Sequence, residues 1–121
     1  MVYDGEVNEA AFEYYSRLGR VRNYIRANPG QRIRLSEAAS IAGMERTYFS
    51  AFFRTKVGIP FSHWLSCHRV ETAIQLMKSH NIAISELALK VGFQDLRTFE
   101  RHFKRHTGST PRDVKLSVRP A

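Results

Sequence analysis

The histidines and the cysteine are the residues of this sequence that could hold a metal ion or carry out nucleophilic chemistry. His102 and His106 lie four residues apart, the spacing of two zinc ligands on adjacent turns of a helix. No glutamate or third ligand accompanies them in the required pattern, so we predict no metal and expect histidines that are solvated or face phosphate. Cys67 and His68 are adjacent, and adjacent side chains on a helix point about 100° apart, whereas a nucleophile needs its base in contact. Cys67 is therefore predicted to be a packed thiol, and the chain is predicted to be no enzyme and to need no cofactor.

Two arginines suggest a different chemistry. Arg97 and Arg101 are four residues apart and therefore share one face of a helix. A guanidinium group can donate two hydrogen bonds to O6 and N7 of guanine, which is worth about 1–3 kcal/mol of discrimination. Glu100 could accept from a cytosine amino group or hold Arg97 or Lys104 in place, and we favour the second role. This helix face predicts contact with the bases of double-stranded DNA.

The net charge favours a polyanionic partner. The 121 residues include 19 Lys and Arg against 11 Asp and Glu, a net charge of +8. Residues 1–20 hold four acidic and two basic residues, so the whole excess lies in residues 21–121. Nucleic acid is the first candidate partner, an anionic membrane surface is the second, and a protein that is merely basic is the alternative to both.

The apolar stretches, the N-terminal residues and the number of cysteines indicate where in the cell the protein is expected. No stretch approaches the ~18 uninterrupted apolar residues of a spanning helix, and the N-terminus lacks a secretory signal. The single cysteine excludes an intrachain disulfide framework. We therefore expect a cytoplasmic protein without a membrane partner.

The sequence contains an internal repeat. Residues 35–61 and 84–111 share the order acid, alanine, glycine, phenylalanine, phenylalanine, glycine. Each copy predicts a helix, a tight turn and a second helix, and small residues at the crossing favour the helix-turn-helix arrangement, in which the second helix protrudes. The alternative is an ordinary antiparallel helical hairpin.

The helix boundaries follow from capping signals. In the first copy, Ser36 is predicted to cap the first helix and Gly43 to end it. In the second copy, Asp95 is predicted to cap the second helix and Gly108 to end it, and Thr110 to cap a short last helix. The second helices are predicted from about Arg46 to Lys56 and from about Leu96 to Thr107, with Tyr48, Phe49, Phe52 and Phe53, and Leu96, Phe99 and Phe103, on their inner sides.

The segment between the two copies has neither proline nor glycine from Phe61 to Ser79. It predicts one continuous helix of about 18 residues, hence about 27 Å long. Successive turns of B-DNA expose the same groove face about 34 Å apart. We therefore expect this strut to set two recognition helices into adjacent major-groove segments, so that one monomer reads an asymmetric site of roughly two turns.

The repeat, the strut and the glycine and proline positions together resemble the AraC/XylS family of bacterial transcription regulators over about residues 21–116. Residues 82–111 carry most of the resemblance, since they match the spacing of the family signature at Gly92-Phe93, Asp95, Phe99, Arg101, Phe103-Lys104, Gly108 and Thr110-Pro111. The resemblance implies an all-α, homeodomain-like fold of about seven helices, here with an N-terminal helical extension. The domain division is then an extension at 1–20, a first helix-turn-helix subdomain at 21–60, a linker helix at 61–79 and a second subdomain at 80–118.

The resemblance also implies a function and a set of site residues. The function is sequence-specific binding of promoter DNA, usually as an activator, with RNA polymerase as the second partner. Base-reading candidates are Thr47, Ser50, Ala51, Arg97, Thr98 and Arg101, and phosphate-contact candidates are Arg46, Arg54, Lys56, Lys104, Arg105 and Arg112. Ala51 and Glu45 depart from the family's usual arginine and serine, so the first motif is expected to read bases weakly or through thymine methyl contacts.

The N-terminal residues allow two interpretations. Val7, Ala11, Tyr14, Leu18, Val21 and Ile25 form an apolar stripe at spacings of three and four. We favour a helix packed on the domain's own core over a dimer contact or the stub of a linker to a sensor domain, and Gly19 is expected to weaken that helix.

Two rival functions remain open. A nonspecific DNA-coating or architectural protein would show little preference among sequences at moderate salt. An enzyme, such as a DNA-repair alkyl acceptor, would depend on a reactive cysteine. Cys67 lacks the charged cluster that lowers a thiol pKa, so this class ranks last.

Overall fold

The computed structural model describes residues 7–118, and within that range it contains eight α-helices and no strand. The predicted all-α fold is confirmed. The helices are α1 (Ala10–Tyr14), α2 (Ser16–Ala27), α3 (Leu35–Ala42), α4 (Arg46–Val57), α5 (Phe61–Ser79), α6 (Ile84–Lys90), α7 (Leu96–Thr107) and α8 (Pro111–Val118). The described residues form two compact units, an N-terminal unit that ends at Leu65 and a C-terminal unit that begins at Ser66.

Helix α5 confirms the predicted continuous helix. It runs without a break for 19 residues from Phe61 to Ser79, which corresponds to about 28 Å of helix axis. The boundary between the two units falls within this helix, after Leu65. None of the helices described is long and apolar enough to cross a membrane.

An aromatic cluster forms the core of the N-terminal unit. Phe53 of α4 is fully buried, and its ring lies 5.9 Å from Phe12, 5.3 Å from Phe61 and 5.8 Å from Trp64, measured between ring centroids. Phe12 belongs to α1, so the N-terminal segment is part of this core. The backbone N–H of Asn8 also donates to the carbonyl of Val57 at 2.8 Å, which satisfies one orphan carbonyl at the end of α4.

The N-terminal stripe does not form one helix. The helix is interrupted at Tyr15, whose extended backbone (φ −100°, ψ 104°) separates α1 from α2. The prediction of a continuous apolar face is therefore wrong at Tyr14, whose side chain is 81% exposed. Residues 1–6 of the predicted extension lie outside the described residues. The two short helices are joined instead by Arg22, which donates to Glu13 at 2.7 Å and lies 4.9 Å from the Phe12 ring.

Gly19 permits the close approach of α1 and α2. A Cβ at this position would lie 2.7 Å from the carbonyl oxygen of Phe12, a backbone atom that cannot move aside as a side chain could. The sequence suggested only that Gly19 weakens the helix, because the helix propensity of glycine is low. The structure shows why a glycine is needed here: the backbones of α1 and α2 lie too close together to leave room for a Cβ atom.

Replacing Gly19 with alanine is therefore expected to destabilise the N-terminal unit by about 1–3 kcal/mol, although alanine is the better helix former. The free energy of unfolding, measured by urea denaturation, checks this value. Ser16→Ala, at an exposed position of the same helix, is the matched control. A gain in stability for Gly19→Ala would show that the two helices separate at little cost.

The C-terminal unit has its own core. Its fully buried side chains include Val70 from α5, Leu87 from α6, and Phe99 and Phe103 from α7. The ammonium of Lys115 in α8 donates to the carbonyl of Ile82 at 2.6 Å and so ties the last helix to the segment before α6. Thr110 caps α8 as predicted, since its hydroxyl accepts from the backbone N–H of Asp113.

Three details of the helices differ from prediction. Helix α3 begins at Leu35, so Ser36 lies in its first turn, and Glu37 accepts from the backbone N–H of the N-cap residue Arg34 at 3.0 Å. Tyr48 and Leu96 were predicted to face inward, but they are 59% and 38% exposed. Both lie in the first turn of the second helix of a repeat, α4 for Tyr48 and α7 for Leu96.

His106 also differs from prediction. It is only 2% exposed, and its Nδ1 lies 3.3 Å from the Sγ of Cys67, so it is neither solvated nor free to face phosphate. Cys67 is fully buried, which confirms a packed thiol, and its partner is His106 on α7, not the adjacent His68.

Candidate nucleic-acid interface

Both helix-turn-helix motifs are present, and their turns are built alike. The first consists of α3 and α4, and the second of α6 and α7. Gly43 and Gly92 adopt positive φ values of 70° and 105°, which favour glycine. The residues that follow them make equivalent hydrogen bonds, from Met44 N–H to the Ala39 carbonyl at 2.9 Å and from Phe93 N–H to the Ala88 carbonyl at 3.0 Å. The internal repeat of the sequence is therefore a structural repeat.

Helix α4 separates an apolar face from a polar one. Phe49, Phe53 and Val57 are buried in the N-terminal unit. The opposite face is exposed and carries the predicted base-reading and phosphate-contact residues Arg46, Thr47, Ser50, Ala51 and Arg54. Lys56 is only partly exposed, and its ammonium lies 5.3 Å from the Tyr15 ring and 5.8 Å from the Phe52 ring.

Helix α7 repeats this division with a higher positive charge. Phe99, Phe103 and His106 are its buried residues. Arg97, Arg101, Lys104 and Arg105 are exposed, Thr98 is partly exposed, and Arg112 is exposed on the following helix α8. The exposed face thus brings Arg97 and Arg101 together on adjacent turns, where both guanidinium groups can reach the same partner.

Acidic N-caps start both α4 and α7. Glu45 accepts from the backbone N–H groups of Thr47 and Tyr48 at 2.9 and 3.2 Å, so this glutamate performs the capping role for which the family usually has serine. Asp95 accepts from the Thr98 N–H at 2.8 Å, which confirms the predicted cap. These backbone hydrogen bonds lower the pKa of both carboxyl groups below their ordinary values, and nearby arginines lower them further.

The lowered pKa of Asp95 predicts a pH dependence of stability. Because the folded state binds the proton more weakly than the unfolded state, the cap's contribution is present above the ordinary aspartate pKa of 3.8 and is lost as the pH falls through the folded value. Asn caps a helix without titrating, so Asp95→Asn is expected to lose less stability in acid than the unmodified chain. Urea denaturation followed by circular dichroism at about pH 6 and about pH 3 checks this difference. An equal acid loss in both proteins would exclude a titrating cap at Asp95.

An aromatic surface beside α4 was missed by sequence reasoning. Tyr48 and Phe52 lie four residues apart on one flank of this helix, and together with Met44 from the preceding turn they line a shallow groove with Tyr14 and Tyr15. From the sequence, Tyr48 and Phe52 are predicted on the inner side of the helix and Tyr14 in an apolar stripe, because exposure cannot be read from spacing alone.

Comparisons with known proteins agree with this geometry. The sequence model of the family described as "Helix-turn-helix domain" matches residues 38–116. The HTH-type transcriptional regulator RipA of Corynebacterium glutamicum is 36% identical over 85 residues, which are 70% of this chain and 25% of RipA. The virulence regulon transcriptional activator VirF of Yersinia enterocolitica is 31% identical over 98 residues, 81% of this chain and 36% of VirF. The chain thus spans only about a quarter to a third of these two curated relatives.

Solved structures show the same fold. The DNA-binding domain of AdpA, a global transcriptional factor solved in complex with a target DNA, has a TM-score of 0.79 at 26% identity and covers 84% of this chain and 91% of that domain. The C-terminal domain of AraT, a response regulator from Geobacillus stearothermophilus, has a TM-score of 0.79 at 27% identity, covering 87% of this chain and 88% of that domain. With a family match across most of its length, this chain belongs to the AraC/XylS family of transcriptional regulators and carries that family's DNA-binding domain.

Proposed function

We propose that this chain binds promoter DNA sequence-specifically and reads two adjacent major-groove segments, one with α4 and one with α7. The observation that carries the proposal is that each of these helices buries two phenylalanines on one face and exposes a polar face that carries at least two arginines. The likeness to the AdpA domain, which was solved with its target DNA, supports the same partner for this chain.

The exposed residues divide into two roles by their chemistry. Arg97 and Arg101 are proposed to donate to guanine O6 and N7, and Thr98 to add a contact beside them. On α4, Thr47, Ser50 and Ala51 offer small hydroxyl and methyl groups, which suit thymine methyls and single hydrogen bonds. The phosphate contacts are proposed to come from Arg46, Arg54, Lys56, Lys104, Arg105 and Arg112, which position the protein without reading sequence.

We further propose that the bound site lies upstream of a gene, so that binding there regulates its transcription. We propose an activator that contacts RNA polymerase in the bacterial cytoplasm, in keeping with the activator VirF among the relatives. A dimer partner or sensor domain joined through the N-terminal segment is the other proposed contact, because the matched residues are only 25% of RipA and 36% of VirF.

The experiment that tests this function is selection of bound sequences from a random double-stranded DNA pool. We expect a two-part motif whose halves lie about 10 base pairs apart, one turn of B-DNA. A one-part motif would restrict base reading to a single helix. A palindrome bound only by a dimer would contradict reading by one monomer.

A nonspecific architectural role is the second candidate, and the net charge of +8 favours it. Such a protein would enrich no motif at moderate salt. Its affinity would also fall equally for all sequences as salt rises, because phosphate contacts alone would carry the binding.

A further inference from the structure

A groove of about 350 Å³ lies within the N-terminal unit, between the junction of α1 with α2 and one flank of α4. This volume is at the lower end of the range for small-molecule sites. Aromatic rings form most of its wall, and the lining includes Tyr14, Tyr15, Tyr48, Phe52, Met44 and Arg17. None of the aromatic residues in the wall is among the proposed DNA-contact residues.

The rings form a continuous chain. Tyr14 packs on Tyr15 with 4.8 Å between ring centroids, Tyr15 on Phe52 at 5.2 Å, and Phe52 on Tyr48 at 6.0 Å. The first two contacts are edge-to-face and the third is stacked. The rings at the two ends are exposed, by 81% for Tyr14 and 59% for Tyr48, so a planar ligand between them would remove apolar surface from water.

The charge around the groove is positive. Arg17 lines it, and the ammonium of Lys56 lies over the rings of Tyr15 and Phe52. Two carboxylates next in sequence to lining residues already have partners, since Glu13 accepts from Arg22 at 2.7 Å and Glu45 caps α4. A cationic ligand would be repelled by Lys56 and Arg17, whereas an anionic one would be attracted.

We propose that this groove binds a small planar aromatic anion, an aromatic carboxylate of one or two rings. The rings of the wall supply apolar contact, and Arg17 and Lys56 supply the positive charge for the carboxylate. A DNA phosphate would use the cations but leave the rings uncovered, which is why an aromatic anion fits better. This site adds a small-molecule ligand to the proposed DNA binding; Lys56 is also a proposed phosphate contact, whereas Arg17 and the aromatic wall are not.

Titration of the DNA-free protein with 2-naphthoate, followed by calorimetry or protein NMR, tests the proposal. The matched ligands are 2-naphthamide, which has the same shape without charge, and 2-naphthylmethylammonium, which has the opposite charge. We expect naphthoate to bind about threefold to tenfold more tightly than the amide, a preference that shrinks with added salt, and the ammonium to bind most weakly. An amide that binds as tightly as naphthoate, or no binding of naphthoate at about 5 mM, would overturn it.

Variants locate the site. Tyr48→Ala is expected to weaken naphthoate binding about tenfold, and Arg17→Gln about threefold to fivefold without changing the affinity for the amide. Arg26→Gln, an exposed arginine nine residues further along α2, is the control and should change neither affinity. Tyr14→Ala is a second wall variant, and its side chain is 81% exposed. Unchanged naphthoate binding in both tyrosine variants would place the ligand elsewhere and overturn the assignment, whatever the outcome of DNA selection.

Discussion

Arg101→Ala is expected to weaken binding to the selected DNA site by about 1–3 kcal/mol, which is a loss of about 5-fold to 150-fold, and to relax the preference at one base position. The reason is that a bidentate arginine–guanine pair contributes to the correct base only. The Arg101 side chain is exposed on α7 beside Arg97, so its removal leaves the core intact. Binding titrations against the matched site and against single mismatches measure both effects.

Arg105→Ala is the matched control on the same helix. Its side chain is also exposed, but its proposed contact is a phosphate, so all sequences should be weakened alike. The slope of log affinity against log salt should fall by about one. If Arg105→Ala relaxed one base position and Arg101→Ala weakened all sequences equally, the two roles would have to be exchanged.

Phe53→Ala is expected to lower the free energy of unfolding of the N-terminal unit by about 3–5 kcal/mol, because it removes a fully buried ring and leaves a cavity. This ring contacts Phe12, Phe49, Phe61 and Trp64, with centroid distances between 5.3 and 5.9 Å. Those neighbours come from three different helices, which cannot all collapse into the space. The effect approaches the total stability of many small domains.

Urea denaturation followed by tryptophan fluorescence measures this loss. Trp64 is the only tryptophan of the sequence, and it packs against Phe53, so its emission reports on the N-terminal unit. Leu116→Ala is the control, since that side chain is 61% exposed on α8 and its truncation should change stability by no more than about 0.5 kcal/mol. A loss below about 1.5 kcal/mol for Phe53→Ala would mean that the aromatic cluster repacks.

Much of the candidate interface was predictable from the sequence because local signals specify it. Helix α7 begins after Asp95 and ends before Gly108, as the caps predict, and its arginines lie at a spacing that places them on one face. The exposed arginines of α7 and the buried Phe99 and Phe103 follow from the same helical period. The predicted contacts with bases and phosphates still await the binding measurements described above.

The sequence by itself determined the helical class, the two turns at Gly43 and Gly92, the unbroken α5 and the family, because capping, periodicity and charge act between residues close in the chain. Only the tertiary structure decided the exposure of Tyr14 and Tyr48, the burial of His106 against Cys67 and the need for glycine at position 19. Each of these depends on which distant segment arrives to cover a side chain or a backbone. Spacing along one helix specifies which residues share a face, but it does not specify how far a neighbouring helix extends over that face.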